Sequence, residues 1–272
     1  MPELPEVESV RRQLGPRMRC RTIRAVTVDP QARFADVDRA VGHRVSEVVR
    51  RGKYLIAGLD GGLELVMHLG MTGSFRFRGE ADGWAPDAYV RATLTLEGAG
   101  DGAVMDFRDV RRFGRLAVVP AGDYHSIATL ARLGPEPLSD DFDPDRFHAA
   151  LTRTRAPVKP FLLSQRPVAG VGNIYADEAL WRARINPHSR RVGRARAHAL
   201  WLAIRAVLAE AIAREGTTFR DYQMVNGESG RNAAFLVAYG RAGRPCPRCA
   251  TPLSKVVLGG RGTTYCRVCQ RR

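Results

Sequence analysis

Between residues 17 and about 120 the apolar residues fall in short runs, several of them alternating with polar residues at every second position. Thr22–Val28, Arg44–Val49, Tyr54–Ala57, Leu63–Leu69, Ser74–Phe77, Val90–Leu96 and Arg115–Val119 read as strands, since period-two alternation turns one face of a pleat inward. Glycine-rich turns separate them. Many short strands at this spacing predict an antiparallel sandwich or barrel. Residues 30–42 read as a short helix, and Glu80–Ala88 reads as a mobile loop. Ahead of the strands, Leu4, Val7, Val10 and Leu14 sit at helical spacing, and Pro5 lies where a missing N–H costs nothing. Gly15-Pro16 is expected to stop that helix.

After Pro120 the period changes to that of helices. Short helices between Ser126 and Thr154 are broken by Gly134-Pro135-Glu136-Pro137, and Asp140-Asp141-Phe142-Asp143-Pro144 is a start signal. Asn173 is expected to cap a helix through Ile174, Ala179 and Leu180, and Ala195–Arg214 reads as one long amphipathic helix. Gly216–Gly230 is polar and turn-rich, too featureless for a core element, and so is a candidate functional loop.

Charge narrows the partner. The 272 residues, enough for roughly two domains, carry 43 Lys and Arg against 28 Asp and Glu, a net charge of +15. Such an excess calls for a polyanion, with nucleic acid first. No apolar run is long enough to span a bilayer and no charged-then-apolar leader opens the chain, which predicts a soluble cytoplasmic protein with no membrane partner. Only Lys53, Lys159 and Lys255 are lysines. In a chain that writes arginine by default, a surviving lysine marks a place where a compact, titratable cation is wanted, because arginine stays protonated.

Five cysteines do not make an even disulfide framework, but four of them follow the spacing C-x2-C-x16-C-x2-C: Cys246, Cys249, Cys266 and Cys269. Each short loop brings two thiolates to one metal, and the two pairs close a tetrahedron with no open position, so one structural zinc is expected. Cys20 has no partner. Between the pairs, Leu258-Gly259-Gly260-Arg261-Gly262-Thr263-Thr264-Tyr265 reads as a hairpin with a basic tip, and residues 231–272 hold nine Lys and Arg and no acid. At the other end, removal of Met1 would leave Pro2 with a free secondary amine, a group that titrates near ~8 and is a nucleophile toward a sugar aldehyde carbon. Glu3 beside it can move protons. The zinc hairpin and the basic surface alone fit either a DNA-binding adaptor or a DNA enzyme.

The start of the chain decides between them. Met1-Pro2-Glu3-Leu4-Pro5-Glu6-Val7-Glu8, Arg50-Arg51-Gly52-Lys53-Tyr54-Leu55, His68-Leu69-Gly70-Met71-Thr72-Gly73-Ser74, Asp109-Val110-Arg111-Arg112-Phe113-Gly114, Leu133-Gly134-Pro135-Glu136-Pro137-Leu138, Gly170-Val171-Gly172-Asn173-Ile174-Tyr175-Ala176 and the four cysteines closely resemble bacterial formamidopyrimidine-DNA glycosylase, end to end and in order. The resemblance implies an α+β multidomain chain. Residues 1–122 would form an N-terminal antiparallel β-sandwich with flanking helices, 123–230 a helix-two-turn-helix domain carrying a lesion-recognition loop, and 231–272 a β-hairpin zinc finger.

It also implies roles. Pro2 would attack C1′ of the damaged nucleotide and displace the base, Glu3 would handle protons at the deoxyribose, and Lys53 would assist base release. Arg261 would hold a phosphate and serve the second elimination. A glycosylase must flip its target out of the duplex and fill the hole. Met71, Arg111 and Phe113 match that filling set. His68, Lys159, Asn173 and Tyr239 resemble phosphate contacts, and Arg153 and Arg155 stand where the family has lysines. Where the family often has Lys-His-Asp-His, this chain has Pro86-Asp87-Ala88-Tyr89, which removes the basis for a DNA contact there. The implied protein is a monomeric glycosylase and AP lyase acting on double-stranded DNA with oxidised purines. The alternatives are an endonuclease VIII-type enzyme for oxidised pyrimidines, whose start usually has Gly in place of Leu4, and a non-enzymatic zinc-hairpin DNA-binding protein.

Overall fold

The computed structural model describes residues 2–32, 34–79, 87–98, 103–219 and 222–272, so most of the expected loop at Glu80–Ala88 lies outside the described residues. The chain forms two compact units. One comprises Met1–Ala131 with Arg214–Arg231, the other Arg132–Ala213 with Asn232–Arg272.

In the first unit, helix α1 (Leu4–Met18) turns Leu4, Val7, Val10, Leu14 and Met18 inward. It runs through Gly15-Pro16 rather than stopping there. A proline this close to the end removes a single helical hydrogen bond, and the turn is closed instead by Arg19 N donating to Gly15 O at 2.9 Å. Strands β1 (Thr22–Val28), β2 (Val45–Arg51), β3 (Tyr54–Leu59), β4 (Leu63–His68), β5 (Gly73–Arg78), β6 (Val90–Glu97), β7 (Val104–Asp109) and β8 (Arg115–Pro120) follow. They make two antiparallel four-stranded sheets, in the orders β1-β6-β7-β5 and β2-β3-β4-β8. The expected helix at 30–42 reduces to a 3₁₀ turn at Val37–Ala40.

Strand β7 is the element the hydrophobic pattern does not show. Its three charged residues hide it, yet it is central in its sheet. Asp106 is 3 % exposed and accepts from Arg78 Nε at 2.9 Å and Thr93 Oγ1 at 2.7 Å, so its carboxylate is paired inside rather than solvated. The segment 216–230 also differs from expectation. Tyr222, Met224 and Val225 are buried in the same core as Val7, Val10 and Leu14, although no period links them. Arg220 and Asp221, beside them, lie outside the described residues.

The second unit holds α3 (Pro144–Arg153), α4 (Val158–Leu163), α5 (Asn173–Arg182) and α6 (Arg194–Ala213), and a hairpin of β9 (Ser254–Leu258) and β10 (Arg261–Tyr265); the short α2 (Ala128–Ala131) belongs to the first unit. Asp143 caps α3 by accepting from Arg146 N at 2.8 Å, as its start signal predicts. For α5 the cap is Gly172, and Asn173 is the first helical residue, with no side-chain cap bond. The fold is therefore α+β: a two-sheet sandwich with its helix, and a helical body carrying a β-hairpin finger. Among the described residues no helix is long and apolar enough to cross a membrane.

Candidate functional site

Pro2 is buried and lies just outside the first helix, whose cap is Glu3. Glu3 and Glu6 form a reciprocal capping box: the Glu3 carboxylate accepts from the Glu6 amide, and Glu6 Oε2 accepts from Glu3 N at 2.8 Å. The other oxygen of Glu6 accepts from Thr217 N at 2.7 Å. One buried carboxylate thus ties the backbone beside Pro2 to the segment that begins at Gly216. Gly216 has φ +81°, and a Cβ there would lie 2.8 Å from Glu6 Oε1, so both the conformation and the contact require glycine. The spacing of Glu6 three residues after the cap is the sequence signal for this role.

Lys53 is 4 % exposed on the two-residue turn between β2 and β3, where Gly52 takes φ +57°. Arg50 donates from one nitrogen to Gly52 O at 3.2 Å and from Nε to Glu8 Oε2 at 3.1 Å. Glu8 also accepts from Arg11 and Arg12, so it fastens α1 to the turn that carries Lys53. Burial raises the Glu8 carboxyl, but its three arginine partners outweigh burial and leave its pKa below the usual range.

His68 ends β4. Its Nδ1 accepts from Gly70 N at 3.0 Å, which places the ring proton of the neutral form on Nε2, and the ring packs on Tyr54 at 4.6 Å between centroids. Burial, with Lys53 and Arg115 nearby, brings it from 6.5 down to about 4. At neutral pH it is an uncharged N–H donor. Because the folded value lies below the unfolded one, the unfolded chain binds more protons between those values, and stability should fall as pH drops from about 6.5 to about 4. We expect urea melts of His68→Gln to show a shallower loss across that window than the parent; an equal loss in both would place the titration elsewhere.

Met71, Arg111 and Phe113 lie on two loops joined by one carboxylate. Asp109 is 1 % exposed and accepts from Thr72 Oγ1, from Arg111 N at 3.2 Å and from Gly114 N at 2.6 Å, while Thr72 Oγ1 accepts from Arg111 N at 3.0 Å. Gly70 has φ +60°, and a Cβ there would strike Gly114 N at 2.5 Å, so the loops approach at backbone distance. The result is a presented group: Phe113 is 49 % exposed, the Arg111 guanidinium lies 5.0 Å from the Phe113 ring centre, Arg111 is exposed and Met71 is half-buried. Asp109 and Thr72, which hold this group, carry no signal in the sequence beyond their neighbours.

In the second unit the expected phosphate contacts separate. Arg153, Arg155 and Arg261 are exposed, with Arg261 just after the Gly259-Gly260 turn at the tip of the hairpin. Asn173 and Tyr239 are half-buried, and the loop before Tyr239 is pinned by Glu178, whose carboxylate accepts from Val237, Ala238 and Tyr239 amides. Lys159 does not reach solvent at all. Its side chain is 0 % exposed and Nζ lies 2.7 Å from Asp177 Oδ1, donating also to Gly262 O at 3.1 Å and Thr263 Oγ1 at 2.9 Å. Asp177 Oδ2 in turn accepts from Thr264 N at 2.9 Å. The expected phosphate ligand is instead the post that holds the hairpin to the helices.

The four cysteines have their sulfur atoms within 4.8 Å of one another, with 3.5 Å between Cys249 and Cys266 and 4.0 Å between Cys246 and Cys269. A tetrahedron with Zn–S bonds of ~2.3 Å has edges of about 3.8 Å, so the cage already has the size of the ion. The charge argues the same way. Four thiolates packed this closely repel one another and need a cation among them. The site holds one structural zinc.

Known proteins share this arrangement. The formamidopyrimidine-DNA glycosylase N-terminal domain matches residues 1–116, the H2TH domain of the same enzyme residues 133–223, and the zinc finger found in FPG and IleRS residues 243–272. The chain belongs to the formamidopyrimidine-DNA glycosylase family. It is 46% identical to the Deinococcus radiodurans formamidopyrimidine-DNA glycosylase over 99% of this chain and 97% of that one, and 47% identical to that of Thermus thermophilus over 99% and 98%. The crystal structure of the Thermus thermophilus MutM (FPG) protein superposes with a TM-score of 0.91 at 46% identity, covering 99% of this chain and 98% of that one. Wild-type Lactococcus lactis Fpg in complex with DNA containing N7-benzyl-Fapy-dG superposes at 0.89 with 32% identity, covering 100% of both chains.

Proposed function

We propose that this protein is a DNA glycosylase and AP lyase that removes oxidised purines from duplex DNA, with Pro2 as its nucleophile. The observation that carries the reading is the placement of Pro2 immediately outside a capped helix N-terminus, beside Glu3, in a chain that matches the family over its whole length. The helix dipole disfavours the protonated form of an amine at that point. With Met1 removed, the Pro2 nitrogen attacks C1′ as the glycosidic bond breaks and the base leaves with a proton; the C1′–O4′ bond then breaks, O4′ taking a proton from Glu3, and the Pro2–C1′ bond becomes an iminium. The iminium acidifies C2′, so loss of a C2′ proton expels the 3′ phosphate, and a second elimination expels the 5′ phosphate. Glu3 moves protons at the sugar, Lys53 supports base departure, and Arg261 holds a phosphate.

Relatives of this chain have been captured on DNA containing N7-benzyl-Fapy-dG and carbocyclic 8-oxo-G. Oxidation at C8 turns guanine N7 from an acceptor into an N–H donor, which a backbone carbonyl can distinguish. We assign that reading to the segment from Thr217, since Glu6 fixes its start against the helix that follows Pro2. Met71, Arg111 and Phe113 fill the vacated stack, with the Arg111 donors facing the orphaned cytosine. Acting on chromosomal DNA, the protein works in the cytoplasm.

Single-turnover cleavage of two duplexes tests the substrate class, one with 8-oxoguanine opposite cytosine and one with an oxidised pyrimidine. The purine duplex should be cut at least about tenfold faster, ~1.4 kcal/mol in the barrier. The reverse order would assign the chain to the pyrimidine-specific relatives.

A further inference from the structure

The second unit has a cavity of about 570 Å³ that none of the roles above uses. Pro157, His188, Ser189, Arg190, Arg191 and Leu258 line it together with Arg272, and no acidic residue is among them. Two observations mark it as a site rather than a gap. Ser189 is 3 % exposed, and its Oγ is buried with no hydrogen-bond partner among the described residues, an arrangement native structures rarely leave without a partner from protein, water or ligand. Its backbone is fixed, since Ser189 O accepts from Val158 N at 2.8 Å and Ser189 N donates to Asn186 O at 2.9 Å. And the two arginines are exposed, with one nitrogen of Arg190 donating to Arg155 O at 2.7 Å.

The position decides the ligand. Arg155 belongs to the exposed basic stretch on one side. On the other, Leu258 pairs directly with Arg261 in the hairpin register, which puts the two about 5 Å apart across the strands. A DNA backbone held at Arg261 therefore passes within one or two phosphates of the cavity. We propose that this hollow takes a further backbone phosphate of the bound duplex, held by the guanidinium groups of Arg190 and Arg191 and by the Ser189 hydroxyl. Guanidinium forks match phosphate oxygens, and a donor hydroxyl completes the set. The inference rests on the DNA-binding reading above and extends it beyond the residues the family resemblance implies.

The test is the salt dependence of binding to a labelled duplex containing 8-oxoguanine, measured for the parent, Arg190→Gln/Arg191→Gln, Arg190→Lys/Arg191→Lys and Ser189→Ala, with zinc content and melting checked for each. Each neutralised phosphate contributes about 0.9 to the slope of log K against log salt. The glutamine pair should lose about one unit of slope and bind several-fold more weakly at low salt, the lysine pair should regain the slope, and Ser189→Ala should weaken binding at unchanged slope. A parent that binds the duplex while the glutamine pair keeps the full slope overturns this inference alone. So does saturable binding of inorganic phosphate that the glutamine pair loses without any change in DNA slope, because the site would then serve free phosphate. A parent that fails to bind the duplex overturns the proposed function and this inference with it.

Discussion

Cys266→Ser will lose the zinc and, with it, the folded hairpin. Among the described residues the buried core around the metal is Trp181, Ala238, Cys246, Leu253 and Cys266, with Val237, Cys249 and Cys269 packed partly buried against it, and Val257 on β9 is 75 % exposed, so the metal and the Lys159–Asp177 post are the main supports of the two strands. Structural zinc sites of this kind supply on the order of 10 kcal/mol or more of folding free energy. The helices of the same unit keep their own buried residues, among them Leu162, Leu180, Leu200, Ile204 and Leu208. Helical circular dichroism should therefore persist while zinc stoichiometry falls to near zero and duplex affinity drops, because Arg261 loses its support. A variant that retained one zinc per chain and parental DNA affinity would show that the four sulfurs are not the metal site.

Lys159→Ala will be the most costly substitution away from the metal. It leaves Asp177, 1 % exposed at its side chain, without its cation, and removing one partner of a buried pair costs about 3–5 kcal/mol. Burial already pushes Asp177 up to about 6 against the pull of Lys159. A folded value above the unfolded 3.8 means that the native state binds the proton more tightly. Stability is therefore lost as pH rises from about 3.8 to about 6, and without Lys159 that window extends further upward. Denaturant melts should accordingly show a larger defect at pH 8 than at pH 5. Lys159→Met combined with Asp177→Asn should recover most of the loss, since the amide oxygen can still accept from Thr264 N. A pH-independent defect, or no recovery in the pair, would mean that packing rather than the buried charge holds the hairpin.

These two sites also show what the sequence can and cannot carry. The zinc cage was legible because metal geometry writes itself into short loops: two thiolates per C-x2-C leave few other uses. The helix at Leu4–Met18 and most strands were legible because one-sided burial leaves a period. Lys159 shows the limit of composition: its rarity in an arginine-rich chain says that a cation is wanted there, and in the structure the anion it meets is Asp177. Composition shows that a cation is special; it does not show whether the anion it meets is a phosphate or Asp177, eighteen residues along the same chain. Strand β7 and the buried Tyr222, Met224 and Val225 escaped for a related cause. Their polar neighbours are satisfied by partners distant in sequence, Arg78 for Asp106 and Glu6 for Thr217, so local polarity misreported burial. The same is true of Asp109, whose three acceptor bonds hold the Arg111 loop but leave no mark on the residues around it.

The proposed chemistry depends most on Pro2. Borohydride reduction during reaction with a duplex carrying 8-oxoguanine opposite cytosine traps an iminium as a stable amine, and peptide mapping then locates it. The protein should be split by mass into chains with and without Met1 before the reaction. The chain beginning at Pro2 should give a covalent adduct that maps to Pro2, and the chain retaining Met1 should give essentially none, because its Pro2 nitrogen is an amide. An adduct at Lys53 or any other amine, or equal trapping by the two chains, would contradict the assignment of Pro2 as the nucleophile.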